Sequence, residues 1–179
     1  PLVEHCNASY PNLNLYLRED TTENCLELLR AGRLDLVLMA TPYETSEFVE
    51  KKLCDDPFCH VFYPESPEPN LYLLEKEHCL AEHTISGCKL SESNDIHPFQ
   101  ASSLNTLLAM VEGHKGATYL PKLAINSGLL NASKLEWKPM QDETAVRSLS
   151  LIWRKTSHRR VFFSKIAETL EQVVRQLVE

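Results

Sequence analysis

Apolar positions change their period repeatedly along the chain, and each change marks an element. The opening pattern is helical, with Leu2, Val3 and Cys6 on one face. Leu13, Leu15 and Leu17 alternate with other residues and predict a strand over 12–18. Thr21 or Thr22 then caps a helix carrying Cys25, Leu26, Leu28 and Leu29, with Gly32 beyond its end. The run LDLVLMA over 34–40 is nearly continuous, the mark of a strand covered on both faces. Two further strands are expected over 48–53 and 58–63, then a proline cluster (Pro64, Pro67, Pro69), then a buried strand over 71–74.

The second half continues the alternation. A short helix over 78–88 is expected to stop at Gly87. A strand over 99–101 leads to Ser102 or Ser103, which caps a helix over 104–111. A strand over 117–120 ends at Pro121, which opens a helical turn. Strands over 135–139 and 146–154 follow. An amphipathic helix closes the chain with Val161, Phe162, Ile166, Leu170, Val173, Val174 and Leu177. Strands alternating with helices predict an α/β protein with a largely parallel sheet, or two such sheets.

Composition narrows the function classes. A chain of 179 residues is one ordinary domain or two small lobes. A net charge of −7 argues against a broad basic face for nucleic acid. No apolar run reaches the roughly 18 residues of a membrane span, and no signal-peptide pattern opens the chain. Five glycines are too few for a phosphate-cradling loop, and no GxGxxG or GxxxxGK[ST] occurs.

Six cysteines raise the question of a disulfide framework. A chain of this length folds without such staples, so a reducing, cytoplasmic compartment is the expectation. Cys6 and Cys25 fall in apolar helical patterns and read as small core hydrophobes. Cys54 and Cys59, beside His60, read as strand cysteines flanking Pro57 rather than a metal loop.

Several phrases together resemble one family, the effector domain of LysR-type transcriptional regulators. They are AGRLDLVLMA, CDDPFCHVFYPESP, FQASSLNTLLAMVEGHKGATYLP, and SLIWR before the final helix. The resemblance implies two Rossmann-like lobes, arranged as in periplasmic binding proteins and joined by two crossing segments. Lobe I would comprise 1–63 and 155–179, and lobe II 64–154. The family's N-terminal winged helix-turn-helix is not in the chain, which accounts for the acidic balance.

A narrower resemblance lies in EKEHCLAEHTISGC. The pair His78–Cys79, followed nine positions later by Cys88, is similar to OxyR-type hydrogen-peroxide sensors. The resemblance implies that Cys79 is the peroxidatic thiol and that Cys88 resolves it into an intramolecular disulfide. It implies thiolate support from His78 and Arg154, and peroxide held by Thr22, His78 and Cys79. It implies no cofactor, no metal and no enzymatic turnover. The implied partners are hydrogen peroxide, further copies in a homodimer or tetramer, and DNA and RNA polymerase through the full-length protein. Thiol reductants such as glutaredoxin or thioredoxin would reset it, and no membrane is involved.

The residue chemistry agrees with that assignment. Peroxide is attacked by thiolate, giving a sulfenic acid that a second thiol condenses with. A reactive thiol needs a depressed pKa, and a helix start favours an anion. If 79–88 is helical, nine steps of ~1.5 Å separate the two Cα atoms by about 13 Å. A disulfide spans only about 4.4–6.8 Å, so closure requires the segment to unwind. That makes a covalent trigger on a bistable element, and Gly87 suits the unwinding.

This sequence departs from the sensor pattern at several positions. Glu77 replaces a glycine and tends to raise a neighbouring thiol pKa; Lys76 can offset it. Ala81 replaces an arginine, and His97 is displaced by one from a histidine position now held by Pro98. The family's first strand is expected before Pro1, and Pro67 runs into Leu71 sooner than the family's loop and short helix would allow. Other readings stay open. They are a LysR-type domain binding a small organic effector between its lobes, a zinc site from His78, Cys79, His83 and Cys88, and a thiol peroxidase. The last lacks a thioredoxin-like Pro-x-x-x-Thr-x-x-Cys phrase.

Overall fold

The computed structural model describes residues 2–66, 69–75, 79–90 and 96–178, with the backbone alone for residues 2, 5 and 79. Helices α1 (Leu2–Ser9) and α2 (Thr22–Arg30) precede strands β1 (Val37–Thr41), β2 (Phe48–Phe62) and β3 (Leu71–Leu74). Helix α3 (Cys79–Gly87) leads to β4 (Ile96–Ala101), α4 (Leu104–Gly113) and β5 (Ala117–Pro121). A short α5 (Lys122–Ala124) runs into a π-helical turn (Ile125–Leu129). Strands β6 (Glu136–Pro139) and β7 (Val146–Arg154) then lead to α6 (Arg160–Val178). The chain divides into two compact units, residues 1–54 with 149–177, and residues 55–148. The divisions fall inside β2 and β7, so both strands pass from one unit into the other.

In the first unit the strands run in the order β1, β7, β2. Successive residues of β7 point to opposite faces, and each face is covered. Leu151 and Trp153 pack with Phe163, Ile166 and Leu170 of α6. Ile152 packs on the other side with Leu26 and Leu29 of α2. This double cover is why the strands read as continuous apolar runs. Helix α2 starts at Thr21, whose Oγ1 accepts the Asn24 N–H at 3.4 Å. Asp20 reinforces that start by accepting the Thr21 N–H at 2.9 Å.

The second unit holds β3 parallel to both β4 and β5, with β2 antiparallel to β5 and to β6. Its core gathers Phe58 and Val61 of β2, Leu107 and Val111 of α4, and Leu120 of β5. Helix α4 is capped by Ser103, whose Oγ accepts the Thr106 N–H at 3.2 Å.

Three local expectations change. Residues 12–18 form no strand; Leu13 and Leu15 pack on the first unit's core while Tyr16 and Leu17 stay exposed. The expected strands over 48–53 and 58–63 are one strand, β2. Pro57 sits where that strand passes between units, and beyond it Phe58–Phe62 pairs with β5 on one flank and β6 on the other. The strand expected over 34–40 starts only at Val37, because the Leu34 N–H still turns back to the Leu28 carbonyl at 3.2 Å. Helix α3 does end at Gly87, but Gly87 does not take a left-handed conformation; Lys89, two residues on, does, at φ 54°.

Candidate functional site around helix α3

Helix α3 begins at Cys79. Its first turn therefore offers backbone N–H groups without intrahelical partners, and the positive end of the helix dipole lies there. His78, Lys76 and Glu77 lie outside the described residues, and so does the Cys79 side chain.

The inner face of α3 is built from Leu80, Ala81, His83 and Thr84, all buried. Ala81, where the sensor pattern has an arginine, is a packing residue. Thr84 Oγ1 donates to the Leu80 carbonyl at 2.7 Å, one turn back. Below this face lies a small cavity of about 10 Å³, lined by Leu80, Ala81 and Thr84 with Leu73, Leu107, Thr118 and others. The Thr118 hydroxyl is fully buried there and has no hydrogen-bond partner among the described residues.

The far end of α3 is tighter. A Cβ built on Gly87 would stand 3.2 Å from Phe58 Cε2 and 3.6 Å from the Val146 carbonyl. Close approach favours glycine here, since any side chain would press on the Phe58 ring, despite the cost of glycine inside a helix. The ladder continues one step further, with the Cys88 N–H donating to the Thr84 carbonyl at 2.9 Å. Cys88 is thus still in helical register with Cys79. Nine steps of ~1.5 Å keep their Cα atoms about 13 Å apart, beyond disulfide reach.

Cys88 is a free thiol, half-buried among Leu71, Leu73, Leu90, Ile85 and Tyr119. Burial, helped by the Asp142 carboxylate, pushes its pKa up to about 12. The next residue, Lys89, extends its ammonium to Asp142 Oδ2 at 2.8 Å and to Thr144 Oγ1 at 3.4 Å. Behind Cys88, the Tyr119 ring stands 5.2 Å from His60, which in turn stacks on Phe62. Burial pushes the Tyr119 phenol up, with a further push from Cys88, and holds His60 below its ordinary value.

Thr22 and Arg154 lie in the first unit. Thr22 is the first residue of α2, but Thr21 does the capping, and the Thr22 hydroxyl makes no hydrogen bond to any described residue. Arg154 closes the other end of α2. Its Nη1 donates to the Leu29 and Leu34 carbonyls, each at 2.5 Å, and Nη2 lies 3.8 Å from Asp35. His97 sits in β4, with its ring stacked on Tyr72 at 4.7 Å and its Nδ1 accepting the Phe99 N–H. Cys6, Cys54 and Cys59 are buried, and burial pushes the Cys6 and Cys59 thiols up, as packing cysteines require. Among the described residues no group of three or more His, Cys, Asp and Glu side chains could hold a metal ion.

Two features escaped sequence reasoning. The first is the Lys89–Asp142 pair, whose members are 53 positions apart. The second is Asp56, fully buried in β2. Its Oδ2 accepts from Arg147 Nη2 at 2.9 Å and Nε at 3.1 Å, and its Oδ1 accepts the Leu123 N–H at 2.9 Å. An acidic residue beside a proline inside an apolar strand was the available signal for Asp56. None marked Asp142.

Comparison with known proteins places this architecture. The LysR substrate binding domain matches residues 1–175. The HTH-type transcriptional regulator EstR of Acinetobacter baylyi is 30% identical over 188 residues, covering 98% of this chain and 62% of its own. The hydrogen peroxide-inducible genes activator of Haemophilus influenzae is 28% identical over 192 residues, covering 99% of this chain and 63% of its own. The chain thus spans under two thirds of the length of these curated relatives. The reduced regulatory domain of OxyR2 from Vibrio vulnificus superposes with a TM-score of 0.87 at 39% identity, over 96% of this chain and 86% of that one. This chain belongs to the LysR substrate-binding domain family, as a regulatory domain of the OxyR type.

Proposed function

We propose that this domain senses hydrogen peroxide for a bacterial, cytoplasmic transcription regulator through Cys79 and Cys88. The observation that carries the reading is α3 itself. It starts at Cys79 and holds Cys88 in register at its far end, so an intramolecular disulfide and the intact helix exclude each other. The relatives support it, since one is an activator named for peroxide and another is an OxyR2 regulatory domain in its reduced form.

In the first step the Cys79 thiolate attacks one oxygen of hydrogen peroxide. The O–O bond breaks, Cys79 becomes a sulfenic acid, and hydroxide leaves. In the second, the Cys88 sulfur attacks the Cys79 sulfur, the S–O bond breaks, and the thiol proton leaves with the hydroxyl as water. The start of α3 favours the first thiolate. His78 donates to it. Thr22, with its hydroxyl uncommitted within its own unit, binds peroxide, and Arg154 lends positive charge. The lobe exchanging its helix for a disulfide then alters a homodimer or tetramer of the full-length regulator, and with it DNA binding and the engagement of RNA polymerase. Glutaredoxin- or thioredoxin-type thiols reduce the bond and reset the domain.

Mass spectrometry after limiting peroxide tests this. The expected product has lost two hydrogens and yields a Cys79–Cys88 cross-linked peptide. Unmodified thiols, with DNA footprints of the full-length protein unchanged by peroxide, would overturn it.

A second reading is a small organic effector bound by the domain. It is favoured by the match to the LysR substrate binding domain and by a polar chain in the first unit. Ser150 Oγ donates to Glu50 Oε1 at 2.8 Å, and Thr45 Oγ1 donates to Glu50 Oε2 at 2.7 Å. Under that reading Cys79→Ser leaves the regulator's response intact.

A further inference from the structure

Lys89 combines two properties that its neighbours lack. It is one of two non-glycine residues described with positive φ, at 54°. A lysine there gains nothing from local backbone hydrogen bonding of the kind that lets asparagine adopt this conformation. Its side chain is nevertheless anchored, with Nζ 2.8 Å from Asp142 Oδ2 and 3.4 Å from Thr144 Oγ1. Asp142 is itself braced, accepting the Thr144 N–H at 2.9 Å and the Thr144 hydroxyl at 2.5 Å. These contacts, with the Lys89 N–H turned back to the Ser86 carbonyl at 3.3 Å, pin the residue that follows Cys88.

We propose that the Lys89–Asp142 pair is a latch on the resolving end of α3 that slows the second step of peroxide sensing without touching the first. This deepens the redox reading above and rests on it. For Cys88 to travel about 13 Å to within disulfide distance of Cys79, the last turn must leave its seat beside Phe58 and Tyr119. Lys89 must leave with it, and its ion pair must break first. Condensation then proceeds from the opened segment, so its rate is the opening equilibrium multiplied by the chemical step. The sulfenic acid lives longer at Cys79 the tighter the latch holds. Lys89 and Asp142 are positioning residues, since they hold the segment that carries Cys88 and take no part in the bonds that form and break. The pair lies at the surface, with side chains 71% and 39% exposed, so its leverage is moderate.

Rapid mixing of the reduced full-length regulator with hydrogen peroxide separates the steps. Quenching with a sulfenic-acid trap reads Cys79 oxidation, and intact mass reads disulfide closure. Lys89→Met and Asp142→Asn are expected to speed closure about two- to five-fold and leave Cys79 oxidation unchanged. The swap Lys89→Glu with Asp142→Lys is expected to restore slow closure. Raising salt to ~0.5 M is expected to speed the parent and leave the single variants alone. Amide exchange over 88–90 should rise in the single variants and fall again in the swap.

Equal closure rates in all variants, or acceleration that the swap fails to reverse, would overturn the latch while leaving the redox reading in place. No closure in the parent protein would overturn that reading, and the latch with it.

Discussion

Cys79 stands where α3 begins, and Cys88 stands one residue past where it ends. At the first position free backbone N–H groups and the helix dipole favour a thiolate. At the second, burial and the Asp142 carboxylate push the thiol up to about 12, so it stays protonated. Packing differs in the same sense. The first half of α3 lies over a small cavity, whereas a methyl group at Gly87 would press on the Phe58 ring at 3.2 Å. One helix thus offers two unlike environments to one residue type. The end that should ionise is the helix start, and the end that should wait is buried and latched. Under the proposed redox reading, the delay between sulfenic acid and disulfide is set at the far end.

The largest effect that would break the comparison comes from exchanging the roles by mutation. Cys79→Ser should abolish all peroxide oxidation at the site. Cys88→Ser should leave oxidation of Cys79 at its original rate and stall the product as sulfenic acid, trapped with a gain of one oxygen in mass. Equal loss of oxidation in both variants would mean that the two thiols are not divided as attacker and resolver.

The next effect concerns the platform beneath the tight end. Phe58 and Val146, which confine Gly87, adjoin the buried Asp56–Arg147 pair. Asp56→Ala would strand Arg147 in a site where its side chain is only 13% exposed. A loss of about 3–5 kcal/mol is expected, read from the urea midpoint. The double change Asp56→Leu with Arg147→Met should recover most of it, because a packed apolar pair replaces the ions. If Asp56→Ala loses no stability, the tight end does not depend on this pair.

Alkaline pH acts on the far end of α3 through Cys88. Its native pKa lies above the unfolded value, so the seated helix end binds a proton that the opened one releases. The stabilisation is complete below the unfolded pKa of about 9 and drains away as pH rises toward about 12. Opening of the last turn should therefore increase up to about tenfold per pH unit across that window. Amide exchange over 88–90, corrected for intrinsic rates, measures this. The slope should fall in Cys88→Ser, leaving the smaller contribution of the buried Tyr119 phenol.

Element types were largely readable from hydrophobic period, because doubly covered strands such as β7 force long apolar runs. Residues 12–18 misled because alternation predicts a face, not a partner, and Leu17 has no core to reach. Pro57 misled because a proline is compatible with a strand exactly where that strand changes neighbours. At the site, His-Cys and Gly-Cys marked both ends of α3, and the spacing alone required unwinding. In the sequence Gly87 stands out by its conformational freedom; in the structure it ends α3 and also meets Phe58 closely, a constraint only the fold reveals. Arg154 was read as support for a thiolate. Within its own unit its guanidinium caps two carbonyls at the end of α2, a partner set that depends on tertiary placement. The Lys89–Asp142 pair had no local signal because neither residue is unusual until the fold joins them.

The smallest expected effect tests the loose end. Thr118 is fully buried in β5, and its hydroxyl finds no acceptor among the described residues beside the cavity under Leu80, Ala81 and Thr84. Valine has nearly the same shape and replaces that hydroxyl with a methyl group. Removing an unsatisfied buried hydroxyl relieves its desolvation penalty, so Thr118→Val should stabilise the domain by about 0.5–1 kcal/mol. A better-packed floor under the first half of α3 makes unwinding harder from that side too. Disulfide closure should then slow by about two- to five-fold, while Cys79 oxidation keeps its rate. Slowing of both steps alike would place the cavity's influence at the attacking thiol instead. Destabilisation would mean that the hydroxyl is satisfied in solution and that the first half of α3 is anchored as firmly as the second.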